Sequence, residues 1–169
     1  DHDSDVIDRL PMATTYTVEV PAGTTSLTGG SLAEAVSWQF TTPPVTVQSF
    51  QPTGDSLPIV PVFVATLDQL IDQDAVLATI TLEAAGQSVP IRLATPDEIE
   101  ADDVARPMTN GAIDGRWLAF RPVDPLPTDT RVEITVGPGT PSAEGDATTD
   151  EAQTYTGRTY AALRVVRME

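Results

Sequence analysis

Three residue types are missing or nearly so. There is no cysteine. Disulfides, thiolate nucleophiles, zinc–thiolate sites and thioesters are therefore excluded within these 169 residues. There is no lysine, and all nine basic residues are arginine. Schiff-base and lysine general-base chemistry go with it. A single histidine, His2, stands beside the N-terminal end, and chain ends are poor places to pre-organise a Ser-His-Asp triad. Long apolar runs are absent too, so no segment reads as a transmembrane helix, and Asp1 to Arg9 is too acidic and polar for a signal peptide. Positive charge is scarce. The net charge is −16, which repels nucleic acid and anionic membrane surfaces and favours solubility.

What is present is an internal repeat. Residues 10–29 (LPMATTYTVEVPAGTTSLTG) and 126–145 (LPTDTRVEITVGPGTPSAEG) agree at eight of twenty positions at an offset of 116, among them Val20/Val136, Gly23/Gly139, Ser26/Ser142 and Gly29/Gly145. That period is too long for a solenoid and fits two tandem copies of one β-module. The chain reads as the C-terminal part of a first module, residues 1–44, followed by a complete second module, residues 45–169. It looks like part of something longer.

Alternation gives the strands. Tyr16, Val18 and Val20 alternate with Thr17 and Glu19, and Val132, Ile134 and Val136 with Arg131 and Glu133. Both runs enter Gly/Pro/Ser/Thr loops. Residues 35–42 read as the closing strand of the first module, with Trp38 and Phe40 on one face, and about three strands are expected in 1–44. Pro43-Pro44 makes a stiff junction. The second copy's closing strand is expected over 153–160, followed by residues 163–166. In the second module, 45–50 opens the chain into a Pro52–Asp55 turn, and 60–67 is apolar on both faces, as a covered central strand would be. Val76, Ala78, Ile80 and Leu82 alternate as a strand. A turn at Gly86-Gln87 leads to Val89, Ile91 and Leu93 as the return arm of a hairpin. Residues 116–121 form a further strand. Thr95-Pro96-Asp97-Glu98 carries a capping box with proline at the first helical position, so one short peripheral helix is expected near 96–104, ended by Pro107. Residues 109–115 read as loop. Fifteen prolines, eleven glycines and many short strands place the chain in the all-β class, as an antiparallel β-sandwich.

Few residues offer chemistry. Asp1, Asp3 and Asp5 imitate the start of a calcium loop, but Val6 stands where glycine is needed and no glutamate closes the loop. Glu98, Glu100, Asp102 and Asp103 form the densest carboxylate patch, read as a solvated helix face with a weak divalent-cation site as the functional alternative. Trp117 lies between Arg116 and the apolar pair Leu118 and Phe120, which points to packing rather than ligand contact. Gly137-Pro138-Gly139 precedes no helix and holds no phosphate. No catalytic, cofactor-binding or metal residue is assigned, and no enzyme activity is expected.

The recurring segments also carry a resemblance. Phe120-Arg121-Pro122, Leu-Pro-x-x-Thr, an alternating strand, a Gly-Thr loop and a closing Phe-x-Thr strand resemble the C-terminal halves of bacterial Ig-like domains. Residues 45–72, with a strand ending Leu67-Asp68-Gln69, resemble the matching N-terminal half. The run at 137–145 is similar to the N-terminal region of bacterial α2-macroglobulin-like proteins, which are exported protease traps. The resemblance implies an Ig-like sandwich and a non-enzymatic spacer in an extracytoplasmic protein, with the parent's neighbouring domains as partners. That family's thioester cysteine and bait segment have no counterpart here. An Ig-like module of a surface adhesin or carbohydrate-recognition protein is the alternative. The apolar residues of the incomplete first module add a further expectation, self-association through residues 10–42.

Overall fold

The computed structural model describes residues 9–162; His2, the Asp1, Asp3 and Asp5 run and residues 163–166 lie outside them. In chain order the elements are β1 (Thr15–Val20), β2 (Val36–Thr41), β3 (Val47–Gln51), β4 (Gly54–Leu57), β5 (Phe63–Leu67), α1 (Gln73–Leu77), β6 (Ile80–Ala84), β7 (Gln87–Val89), β8 (Ile91–Leu93), α2 (Pro96–Ala101), α3 (Ala105–Gly111), β9 (Trp117–Pro122), β10 (Arg131–Val136) and β11 (Gln153–Thr159). The chain is mostly β, with several antiparallel sheets and a few short helices.

Two sheets build the body. One has the order β3-β5-β9-β8, the other β4-β11-β10-β6-β7. The period of two in the sequence decides what faces inward. Ile80, Leu82 and Ala84 of β6 are buried between outward Thr81 and Glu83, and Val132, Ile134 and Val136 of β10 are buried beside exposed Arg131. These side chains meet Phe50, Phe63, Leu118 and Phe120 of the other sheet in one core. Tyr155 of β11 stacks on Phe50 with ring centroids 4.2 Å apart. β5 is apolar on both faces because both are covered. Its outer face, with Val64 and the neighbouring Val62 and Ala119, lies under Ala105, Ile99 and Met108 of the helices.

The helical content departs from expectation in three places. Val76 and Ala78 are not in a strand. Asp72 caps α1, its carboxylate accepting from the Ala75 amide, so the alternating run is helical at its start and extended only from Ile80. The single helix near 96–104 is two helices. Pro107 does not terminate the second one but sits in its first turn, where the amide that proline lacks has no intrahelical partner. Residues 109–111, expected as loop, complete that helix. Through Ile99, Ala105 and Met108, α2 and α3 cover a sheet face rather than lying peripherally.

Two strand expectations change as well. The Pro52–Asp55 turn leads straight into β4, which pairs parallel with β11, so the sheets are not wholly antiparallel. The return arm after Gly86 is split at Pro90: β7 pairs with β6, while β8 crosses to the other sheet and pairs with β9. Proline lacks the amide that would continue either ladder there.

β1 and β2 stand apart as a two-stranded ribbon, and they are the two strands among the described residues before Pro43. The ribbon repeats β10–β11 hydrogen bond for hydrogen bond. The Thr42 hydroxyl accepts from the Thr14 amide at 3.0 Å, as Thr159 does from Thr130 at 2.9 Å. Thr42 and Thr159 donate back to the carbonyls of Pro11 and Pro127. The Ala13 amide donates to Pro43 as Asp129 donates to Tyr160. Ala13 and Asp129 share a left-handed backbone, φ 53° and 51°. Even the bridges at the loop ends match, Thr25 with Ser31 and Pro141 with Thr148.

Candidate functional site

With no catalytic constellation expected, the best-built polar arrangement in the described residues is the joint where the ribbon meets the body. It forms around the β10–β11 loop. The bridge from Pro141 to Thr148 narrows that loop, and the Ser142 hydroxyl accepts from the Glu144 amide at 3.1 Å. The Glu144 carboxylate then collects three donors from two directions. Arg9 Nη2 approaches to 2.8 Å and the Met12 amide to 3.1 Å from the ribbon side, and the Leu70 amide to 3.0 Å from the body. Its side chain is only 10% exposed. Burial pushes the carboxyl up, but the Leu70 and Met12 amides and the Arg9 charge outweigh it and hold the group below the usual range.

Backbone bonds close the joint around this carboxylate. Ala147 donates to the Ala13 carbonyl at 2.8 Å, Ala143 to Leu70 at 2.8 Å, and the buried Gln69 amide to the Pro43 carbonyl at 3.1 Å. Ala13 is 1% exposed, whereas its counterpart Asp129 is exposed. Gly145 permits the approach: a Cβ there would overlap the Thr14 hydroxyl and the Ala13 carbonyl. At its repeat partner Gly29, a Cβ would meet nothing. The signal for the joint lay in the repeat identities Ser26/Ser142 and Gly29/Gly145, but nothing in a Gly/Ser-rich loop marked Glu144 as a hub.

The expected carboxylate patch is disassembled by its neighbours. Glu98 closes the capping box with Thr95 and pairs with both Arg92 and Arg121. The hydrogen bond from Arg92, then the Thr95 amide and the Arg121 charge, hold its carboxyl far below the usual range. Asp102 accepts from the Val104 and Ala105 amides, while Glu100 and Asp103 face Arg106. Among the described residues no cluster of three metal-ligating side chains exists. Trp117 is half-buried and packs against the cluster of Val62, Val64, Ala105 and Ala119. A cleft of about 430 Å³ beside α3 is lined by Ser49, Thr66, Met108 and Arg116. Among the described residues that line it, Arg116 alone is charged. No described helix is long and apolar enough to cross a membrane.

No family model matches the chain. It is 28% identical over 158 residues to circularly permutated Ras protein 2 of Dictyostelium discoideum, a match that covers 89% of this chain and 4% of that protein. The chain thus spans a small part of that relative's length. Among solved structures it is similar to LD transpeptidase LdtMt1 in complex with imipenem, with a TM-score of 0.39 and 13% identity over 69% of this chain and 41% of the other. At that TM-score the likeness carries no argument about fold or chemistry.

Proposed function

We propose that the chain is a non-enzymatic, Ig-like structural module that spaces and orients neighbouring domains of an exported bacterial protein of the α2-macroglobulin-like, protease-trapping kind. The joint is the observation that carries this reading. A flexible tether would show a solvated linker. Here the Glu144 carboxylate, the bonds from Ala147 to Ala13 and from Gln69 to Pro43, and a glycine contact fix the first ribbon on the body. The extracytoplasmic setting and the protease-trapping parent rest on the sequence resemblance alone.

One observation favours the second reading, a carbohydrate-recognising module. Trp38 and Phe40 are 49% and 41% exposed, and Tyr16 stacks on Phe40 with centroids 5.3 Å apart. Against it, the Tyr16 hydroxyl already donates to the Pro11 carbonyl, and beyond the Trp38 indole N–H that ribbon face offers no polar side chain to meet sugar hydroxyls. A glycan array probed with the chain and with Trp38→Ala separates the two. The spacer reading expects no glycan retained by either; retention that disappears with Trp38→Ala would replace it.

A further inference from the structure

The ribbon is two-faced. Register places Tyr16 opposite Phe40, Val18 opposite Trp38 and Val20 opposite Val36 on one side, with Thr15, Thr41, Thr17, Gln39, Glu19 and Ser37 on the other. The first side is apolar but for the Tyr16 hydroxyl and the Trp38 indole N–H, and no strand or helix among the described residues covers it: Val36 and Trp38 are each 49% exposed. The duplication shows what such a face meets. The counterparts of Tyr16, Val18 and Val20 are Val132, Ile134 and Val136, all buried against the four-stranded sheet. The counterpart of Trp38 is Tyr155, the ring that stacks on Phe50. The outer edge of β10 is equally occupied, by β6 running antiparallel. On β1 no strand among the described residues occupies that edge. The carbonyl of Arg131 accepts from Ala85 on the β6 side, so its counterpart Thr15, and with it Thr17 and Glu19, aim their backbone groups at that edge.

We propose that this face and edge receive a β-rich segment lying upstream of residue 9 in the same polypeptide. It seats a strand on β1 as β6 is seated on β10, and lays a facing sheet over Val18, Trp38 and Phe40. The inference deepens the module reading by naming what the ribbon docks, and it rests on that reading for the tandem arrangement. Two arguments select this occupant. In the complete copy every strand that covers β10 and β11 precedes them in the chain, from β3 to β9. The chain downstream of the ribbon is already committed to its own core. A second copy is too small a partner: two ribbons laid face to face would each cover on the order of 400 Å² if aromatic side chains present about 150–250 Å² each, about half the ~800 Å² per partner of a standard interface. An upstream sheet covers the face and satisfies the edge together. Phe40 stands where Gly157 stands, and a Cβ at Gly157 would overlap Leu57 of β4. The upstream segment therefore carries something smaller than leucine at that point.

Hydrogen exchange read by mass spectrometry tests this on the natural longer polypeptide and on the present chain. In the longer polypeptide, amides of residues 15–20 should exchange at least tenfold more slowly than in the present chain, approaching those of 131–136. Equal rates in the two would overturn the inference. So would slow exchange in the present chain accompanied by a dimeric mass in light scattering, since a second copy would then be the occupant. Neither result bears on glycan retention, so the spacer reading stands or falls separately.

Discussion

Glu144 and Gly145 are adjacent, yet they hold the joint by different physics. Glu144 is electrostatic. Its carboxyl lies below the ordinary range in the folded chain, so the stabilisation it contributes is present at neutral pH and is lost as pH falls through its folded value, below that range. The Met12 and Leu70 amide chemical shifts should titrate together with a midpoint lower than an ordinary glutamate, and Glu144→Gln should abolish that titration. A midpoint at the ordinary value would mean that the carboxylate is not held as described. Gly145 is steric. Gly145→Ala should displace the ribbon from the body while leaving the body's core intact, because the overlap falls on Thr14 and Ala13 and not on any buried apolar side chain. NMR would show this as shifts confined to residues 9–43, 69–70 and 140–147.

Elements were legible where one local signal acted alone. The alternation of β10 placed the right side chains inward, that of β1 set Tyr16, Val18 and Val20 on one face without burying them, and the Thr95 capping box fixed the start of α2. Thr95→Ala should cost about 1 kcal/mol of unfolding free energy in urea, the usual value of such a cap. An unchanged midpoint would show that Arg92 and Arg121, through Glu98, hold the helix without it. Legibility failed where two signals overlapped. Val76, Ala78, Ile80 and Leu82 keep strand spacing across a helix and a strand, and the deciding feature was the Asp72 cap three residues before Ala75. Pro107 breaks a helix interior but suits a first turn, and only the position of Val104 as N-cap distinguishes these. The joint was hidden for a different reason. Arg9, Glu144 and Leu70 are brought together only by the path of three separate loops, which no periodicity records.

Across the whole molecule, the acidity of the chain gives way locally to pairing. Arg9, Arg92 and Arg121 are each spent on a carboxylate that fixes one element to another: ribbon to loop through Glu144, and helix α2 to β8 and β9 through Glu98. The resulting picture is one ribbon pattern present twice, in β1–β2 and in β10–β11, with the loop of the second gripping the base of the first. A spacer works only if that grip sets a direction. The absence of cysteine makes the test clean, since introduced thiols are unique labelling sites. Spin labels at Leu27→Cys, at the exposed ribbon tip, and Asp103→Cys, on the outside of the body, report the distance across the joint by pulsed electron resonance. The expected result is one narrow distance distribution that broadens when Gly145→Ala is added. A broad distribution in the chain without that substitution would contradict a fixed joint, and with it the spacer.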